Sequence, residues 1–396
     1  MTEGGPPFLP YGCQTVEEDD IAAVAEALRS GWLTTGPLVG RFEAEFAKTV
    51  QAPHAVVCAN GTAALHLAMM ALGIGPGDAV CVPALTFLAT ANCATYVGAE
   101  VAFADVDAAT GLMTPESFRA VLDGPRGARV RAVIPVHLNG QAADMAGIAA
   151  LARQRGIRVV EDACHALGTE GIGACSHSDM AVFSLHAVKT ITAGEGGVVS
   201  TRDPALAEAL ARLRSHGMVR DAARFESAEL AMAADGGANP WYYEMPEPGF
   251  NYRLPDINCA LALSQLGKLD RFLARRADLV GRYDTLLAPL APKLLPMARA
   301  GGSGAVGWHL YAARFDFDAI GHDRAAVMKA LAGRGIGTQV HYLPVHLQPW
   351  YRKRNPDLAL PGALAYYRHC LSLPLFPSLT DADQDRVVAA LAEVLA

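Results

Sequence analysis

An α/β fold built on a large, mostly parallel sheet and followed by a smaller C-terminal α+β domain is predicted from three features of the sequence. Short Val-rich segments alternate with helical segments between about residues 17 and 265. The chain is 396 residues long, with 52% hydrophobic and 18% charged residues. A Pro-, Gly- and Ala-rich connection through about residue 304 precedes a new strand and helix pattern. Such alternation is typical of a sheet covered by helices on both faces.

The first half of the chain predicts the elements of the large sheet in order. EEDDIAAVAEALRSG predicts a helix, with acidic residues in its first turn and Gly31 after its end. Five apolar segments predict strands: HAVVCA, AVCVPA, EVAFADV, VRAVIPVH and IRVVEDA. AALHLAMMALG and DMAGIAALARQRG are helical segments between them. Ligands of such sheets bind beyond the carboxyl ends of the strands, so we expect the functional residues there.

The second half of the chain predicts fewer regular elements. Residues 220–250 form a long irregular loop in this interpretation, and LPDINCALALSQLGKLDRFLARR forms one long helix. TDADQDRVVAALAEVL is a final helix, with Thr380 as its N-cap. We therefore expect a large domain over residues 1–265 and a small domain over residues 266–396.

Composition excludes several classes of function. The net charge of −7 provides no broad basic surface for nucleic acid or an anionic membrane. The first residues lack the pattern of a secretory signal, and no apolar stretch approaches the roughly 18 residues of a membrane span. The eight cysteines are scattered without a CxxC pair, and no metal-ligand spacing is present. These features predict a cytoplasmic enzyme with reduced thiols and no metal site.

The segment HAVVCANGTAALHLAMMAL is the first of three that indicate chemistry. A strand leads through Asn60, Gly61 and Thr62 into a helix. Free N–H groups at a helix start, a glycine that allows close approach and a hydroxyl together can hold a phosphate. The same residues can also form an ordinary helix cap, so this segment alone decides nothing.

The segment IRVVEDACHALG is the second. Glu161 and Asp162 end an apolar strand at the edge where ligands of α/β proteins bind. A carboxylate there can keep a heterocyclic nitrogen protonated, or it can cap the following helix. Both interpretations remain open from this segment alone.

The segment FSLHAVKTITAGEGG is the third, and its unusual residue is Lys189. The chain has six lysines, and this one lies in an apolar turn flanked by glycines, close to Ser184 and His186. A lysine in such surroundings is either an exposed loop residue or an amine whose neutral, nucleophilic form is required.

Together the three segments predict a site for pyridoxal 5′-phosphate (PLP). This cofactor requires an amine for a Schiff base, a carboxylate facing its ring nitrogen and donors for its phosphate. Lys189, Asp162 and the helix start at Gly61 and Thr62 provide these groups. No GxGxxG or P-loop pattern competes for the phosphate.

The chain resembles the DegT/DnrJ/EryC1/StrS family of sugar-nucleotide aminotransferases over nearly its whole length. The resemblance rests on these segments: GWLTTGP, ANGTAALHLA, PALTFLATAN, VEDACHALGT, FSLHAVKTITAGEGG, RSHGM, GFNYRLPDINCALALSQL and HYLPVH. It implies the PLP-dependent transferase fold of type I, which is the aspartate aminotransferase fold. Relatives that carry out dehydration have histidine at the position of Lys189, so lysine favours transamination. Leu185 and Ala193 depart from the residues common in the family but remove no required donor.

The resemblance also implies roles for individual residues. Lys189 would be the Schiff-base lysine and proton shuttle, and Asp162 would pair with the ring nitrogen. The remaining cofactor residues would be Gly61, Thr62 and Ser184 at the phosphate, Phe87 stacked on the ring, His165 near the phenolic oxygen, and Asn251 from a neighbouring subunit. A homodimer with sites shared across its interface is implied.

The substrate segments are similar to the branch of the family that serves pseudaminic acid biosynthesis. That branch aminates C4 of a UDP-linked 2-acetamido-4-keto-6-deoxy hexose with glutamate. By this resemblance the sugar-nucleotide pocket would comprise Tyr11, Gly31, Trp32, Leu33, Thr34, His341 and Tyr342. Amination of UDP-4-keto-arabinose and of perosamine or bacillosamine precursors are alternatives, and a non-catalytic PLP-binding regulator is an alternative from another class.

Overall fold

The computed structural model describes residues 7–302 and 304–395. The α-helices, in chain order, are α1 (Glu18–Arg29), α2 (Pro37–Thr49), α3 (Gly61–Ala71), α4 (Leu88–Tyr96), α5 (Pro115–Leu122), α6 (Met145–Gln154), α7 (Pro204–Leu213), α8 (Ala228–Ala231), α9 (Asp256–Leu266), α10 (Leu269–Leu287), α11 (Phe317–Ile320), α12 (Arg324–Gly333), α13 (Pro349–Arg352), α14 (Pro361–His369) and α15 (Asp381–Leu395). The strands are β1 (His54–Cys58), β2 (Ala79–Pro83), β3 (Glu100–Ala104), β4 (Val130–Val133), β5 (Arg158–Asp162), β6 (Met180–Ser184), β7 (Gly197–Thr201), β8 (Leu294–Leu295), β9 (Tyr311–Phe315) and β10 (Cys370–Leu373). Across these described ranges, the helices are all too short or too polar to cross a membrane.

Seven strands form one mixed sheet in the order β1-β7-β6-β5-β4-β2-β3. The pairs from β6 to β3 are parallel, and β7 runs antiparallel to both of its neighbours. The five strands predicted from the Val-rich segments are all present as β1 to β5. The carboxyl ends of β5 and β6 therefore lie side by side at one edge of the sheet.

Helices cover both faces of this sheet, which explains the continuous apolar runs of its strands. Successive residues of β5 alternate between two apolar clusters, with Val160 in one and Val159 in the other. The pattern repeats in β6, where Val182 and Phe183 belong to different clusters. A strand buried on both sides has no polar alternation in its sequence, as observed.

The C-terminal part contains a small antiparallel sheet in the order β10-β9-β8. The start of the chain packs against this part, because Leu9 N donates to Gly335 O at 2.8 Å and Gly337 N donates to Leu9 O at 2.7 Å. At the last helix, Thr380 accepts from Asp383 N at 3.1 Å, and its own N–H donates to the Asp383 carboxylate. The predicted N-cap is confirmed as one half of a capping box.

Two predicted elements differ from the structure. The single long helix is wrong: α9 ends at Leu266, and α10 begins at Leu269 after a break at Gly267 and Lys268. The side chain of Lys268 turns there to meet the carboxylates of Asp19 and Asp20 at 2.6 and 2.8 Å. The predicted irregular loop over residues 220–250 also contains the short helix α8 and a bridge between Val219 and Glu244.

Candidate active site

Asp162 ends β5 and is fixed through both oxygens of its carboxylate. Thr90 Oγ1 on α4 donates to Asp162 Oδ2 at 2.7 Å, and Cys164 N donates to Asp162 Oδ1 at 3.1 Å. Thr86 lies 2.7 Å from the hydroxyl of Thr90 and extends this chain. Asp162 is 5% exposed. No helix begins directly after Asp162, so its carboxylate does not cap one. The carboxylate is instead buried and held in one orientation.

Lys189 lies in the turn that follows β6, where its N–H donates to His186 O at 2.9 Å. Burial lowers the pKa of Lys189, while the negative charge of Asp162 acts in the opposite direction; burial raises the pKa of the neighbouring Cys164 thiol well above its ordinary value, so that thiol is uncharged. The net pKa is lower than that of an ordinary lysine, since desolvation disfavours the ammonium form. This is the behaviour expected of a nucleophilic amine rather than of a solvated loop lysine.

The start of α3 lies against the end of β6. Asn60 is the N-cap residue, and its side chain accepts from Ala63 N at 2.8 Å. Gly61 is the first helical residue, and a Cβ there would lie 3.0 Å from Ser184 Cβ and 3.4 Å from Cys164 Sγ. Only a glycine leaves room at this position. The segment is therefore a cap and a close-packed cradle at the same time.

His165 belongs to a group of buried rings beside Lys189. Its Nε2 lies 3.0 Å from the hydroxyl of Tyr342, and its ring centroid lies 4.5 Å from that of His309. Burial and the charge of Lys189 lower the pKa values of His165 and His309 well below the ordinary value. Both imidazoles are consequently neutral at physiological pH and can act as hydrogen-bond donors or acceptors.

Aromatic and imidazole rings line the next part of the pocket. His341 Nδ1 lies 2.8 Å from Ser372 Oγ, and burial followed by the charge of Lys189 lowers its pKa to about 3. The rings of Tyr11 and His341 are 5.3 Å apart. Phe87 remains 57% exposed, 6.1 Å from the ring of Tyr342. These side chains provide flat faces and neutral donors, as a sugar requires.

Two predicted groups lie away from Lys189 within one chain. The turn from Gly31 to Thr34 is exposed, and Trp32 is 56% exposed. Asn251 is also exposed and forms a bridge with Ser215. In the described part of a single chain, no contact joins either group to Lys189, so their roles remain predictions that require a second subunit or a bound substrate.

Helix α9 links the exposed turn to the lysine segment, and sequence reasoning missed this link. The Asp256 carboxylate accepts from Gly36 N at 2.7 Å and from Leu38 N at 3.0 Å. Two residues further along α9, Asn258 Nδ2 donates to Ala193 O at 2.7 Å. Thr90 and His309 were missed as well. Two sequence features could have indicated them: Thr90 is a threonine within a largely apolar helix, and His309 is a histidine just before a buried strand.

The residues present fit PLP. The space beside Gly61 would be filled by a Cβ, and Ser184 borders it with a hydroxyl. Thr62 follows at the helix start, and together these groups would hold the phosphate. Asp162 would face the ring nitrogen, and Lys189 would bind the aldehyde carbon. Among residues 7–302 and 304–395, by contrast, no three His, Cys, Asp or Glu side chains meet as a metal site.

Comparison with known proteins gives a consistent result. The model of the DegT/DnrJ/EryC1/StrS aminotransferase family matches residues 14–392. The spore coat polysaccharide biosynthesis protein SpsC of Bacillus subtilis is 40% identical over 395 residues, which cover 98% of this chain and 97% of SpsC.

Solved structures with the same fold were found as well. Helicobacter pylori PseC, an aminotransferase involved in the biosynthesis of pseudoaminic acid, is 25% identical with a TM-score of 0.86, covering 98% of this chain and 99% of PseC. Spr1654 of Streptococcus pneumoniae in its PMP form is 29% identical with a TM-score of 0.85, covering 98% and 99%, and it has also been solved in a PLP form. The predicted fold of type I is confirmed by these neighbours.

Proposed function

The chain belongs to the DegT/DnrJ/EryC1/StrS aminotransferase family, and from that premise we propose its specific reaction. It is a PLP-dependent sugar aminotransferase. We propose that it transfers the amino group of glutamate to C4 of a UDP-linked 2-acetamido-4-keto-6-deoxy hexose, in a pathway of the pseudaminic acid type. Glutamate would leave as 2-oxoglutarate, whose keto oxygen would come from a water molecule, and the keto oxygen of the sugar would leave as water in the second half-reaction.

The observation that carries this proposal is the group of side chains around Lys189. Lys189 interacts electrostatically with Asp162, His165 and His341, and the Tyr342 hydroxyl lies 3.0 Å from His165 Nε2 and the Tyr11 ring 5.3 Å from the His341 ring. When bound, PLP carries the amino group from glutamate to the sugar and delocalises the electron pair left on the substrate carbon. The lowered pKa of Lys189 supports its role as the base that removes a proton from that carbon and returns it. Asp162, held by Thr90, would keep the ring nitrogen protonated.

The remaining side chains would bind and orient. Gly61, Thr62 and Ser184 would hold the phosphate at the start of α3. His165, neutral and within 3.0 Å of the Tyr342 hydroxyl, can donate to an oxygen of the cofactor or the sugar. Phe87 would cover one side of the site and exclude water from the amine.

The proposed substrate is tested with a panel of 4-keto sugar nucleotides and glutamate, with products identified by NMR. Turnover of the UDP-linked 2-acetamido-6-deoxy compound well above the other members supports the proposal. If the enzyme instead prefers UDP-4-keto-arabinose or a perosamine or bacillosamine precursor, that sugar is the substrate and the proposal fails. A protein whose cofactor spectrum does not respond to glutamate would be a PLP-binding regulator.

The proposal includes a homodimer, in the cytoplasm, with shared active sites. Large apolar side chains are exposed in the described part of the chain, among them Trp241 at 73%, Leu230 at 66% and Phe8 at 59%. Apolar patches of this kind mark interfaces between proteins. The cytoplasmic location is supported by eight cysteines that are all free thiols.

Mixing two inactive variants tests the shared site. Lys189→Ala and Asn251→Ala protomers are unfolded together, refolded and assayed. If Asn251 completes the site of its partner, random pairing restores about a quarter of wild-type activity, because each mixed dimer has one intact site. Activity that stays at background after mixing assigns Asn251 to the site of its own chain.

A further inference from the structure

Behind Asp162, on the opposite face of the sheet, lies a buried polar pair that no proposed step uses. Glu161 precedes Asp162 on β5, and successive side chains of a strand face opposite sides. Glu161 is 2% exposed, and its Oε2 lies 3.1 Å from Nε2 of His137, which is fully buried. The hydroxyl of Ser178 donates to the other oxygen of Glu161.

The hydrogen bonds fix which nitrogen of His137 carries the proton. Ala143 N donates to His137 Nδ1 at 3.1 Å, so Nδ1 is an acceptor and bears no hydrogen. The proton is therefore on Nε2 and is donated to Glu161. Each polar atom of the pair has a partner, which is the condition under which a polar group is tolerated in an apolar core.

The pair connects the same two chain segments as the backbone around Asp162. His137 N donates to Asp162 O at 3.1 Å, and Asp162 N donates to Pro135 O at 2.9 Å. The side chains of His137 and Glu161 add a second link one residue away. The segment after β4 is thereby joined to β5 at the residue that carries the carboxylate of the active site.

We propose that Glu161 and His137 are positioning residues that hold the Asp162 carboxylate under the ring nitrogen of PLP. Thr90 donates to the Asp162 carboxylate on one face of the sheet, and the Glu161–His137 pair holds the backbone at Asp162 from the opposite face. Without the pair, the end of β5 shifts relative to α4 and the carboxylate loses its alignment with the ring. This inference rests on the proposed role of Asp162.

The test is the protonation of the bound cofactor, read from the ¹⁵N NMR shift of its labelled ring nitrogen. The holoenzyme is studied at pH about 8 as wild type, Glu161→Met and Glu161→Gln. Met keeps the volume and removes both acceptors, whereas Gln retains an acceptor for His137. We expect Met to lower the ratio of protonated to unprotonated ring nitrogen by about tenfold, which is one pKa unit, and Gln to restore it to within about threefold of wild type.

Val159→Ala is the matched control. Val159 lies on the same face of β5 as Glu161 and is 5% exposed, and its side chain belongs to an apolar cluster. It should lower the melting temperature and leave the ¹⁵N shift unchanged. A Glu161→Met protein that likewise loses stability and keeps the wild-type shift overturns the proposal.

Two further variants keep the result interpretable. If Glu161→Met does not fold, His137→Phe is used instead, because phenylalanine keeps an aromatic ring and removes the Nε2–H donor. The same loss of protonation of the ring nitrogen is expected. An unchanged ¹⁵N shift would contradict the role of the pair. Asp162→Asn separates the two hypotheses. If Asp162→Asn leaves the ring nitrogen of the cofactor protonated, the proposed role of Asp162 fails, whatever the Glu161 and His137 variants show.

Discussion

Asp256→Asn tests how the exposed turn at the substrate end of the pocket is held. The fully buried carboxylate accepts two N–H groups at the start of α2, from Gly36 and Leu38. Asparagine has one acceptor oxygen and one donor NH₂, so one of the two N–H groups would face a donor. A hydrogen bond to a charged group contributes about 1.5 to 3 kcal/mol, and a charge at a helix N-terminus up to about 2 kcal/mol.

The expected loss in the free energy of unfolding is about 2 to 4 kcal/mol, since the two contributions overlap. With an unfolding entropy of roughly 2.1 cal/mol/K per residue, this lowers the melting temperature of the chain by about 2 to 5 °C. The turn from Gly31 to Thr34 would lose its alignment. We therefore expect KM for the sugar nucleotide to rise by about tenfold while PLP affinity stays unchanged.

Thermal unfolding and steady-state kinetics check the two parts of this prediction. Asp323→Asn is the control, because Asp323 caps α12 on the surface through Ala326 N at 2.7 Å, and asparagine is an equally good N-cap. A melting temperature and KM in Asp256→Asn that both equal those of the control would refute the reasoning.

Three further predictions concern the cofactor and the stability of the chain. Lys189→Ala should fold, lose the visible absorbance of the covalently held cofactor and lose all turnover; normal turnover would contradict the assignment. Burial lowers the pKa of Lys189, so its charged form destabilises the folded state at every pH below the ordinary lysine pKa. Lys189→Met should therefore raise the melting temperature of the cofactor-free protein at pH 7. The gain should shrink as the pH approaches about 10. Lys268→Met should cost about 1.5 to 3 kcal/mol in chemical denaturation, because it removes the ammonium partner of the buried Asp20 carboxylate, which keeps its hydrogen bonds from Gln265 and Glu17 N. Burial raises the pKa of Asp20, but the hydrogen bonds from Lys268, Ser264, Glu17 and Gln265 together outweigh it, so the wild-type contribution is present above pH about 4 and is lost in acid as the pH falls through the lowered pKa.

Features encoded by neighbouring residues were predictable from the sequence. The strands β1 to β5 are continuous apolar runs, Asp162 ends one of them, and Lys189 stands out among the apolar and small residues that follow β6. The order and spacing of the motifs predicted the family and the cofactor. The lowered pKa of Lys189 agrees with the expectation drawn from its apolar surroundings.

Features that depend on distant residues were not predictable. Asp256 and Gly36 are 220 positions apart, and Thr90 and Asp162 are 72 apart. No periodicity in a single sequence connects such pairs. The break between α9 and α10 was missed for the same reason, since a Gly in a helical pattern is only a weak breaker and the carboxylates that attract Lys268 lie in α1.

The hydrogen bonds of Leu9 with Gly335 and Gly337 have a consequence for biosynthesis. Leu9 finds these partners only after the ribosome has made most of the protein, and Arg386 donates to Pro7 O at 2.7 Å. At about 5 to 20 residues per second, the N-terminal segment waits on the order of tens of seconds before it can dock. The docking of residues 7–9 onto the C-terminal part is therefore a late step in the folding of the chain.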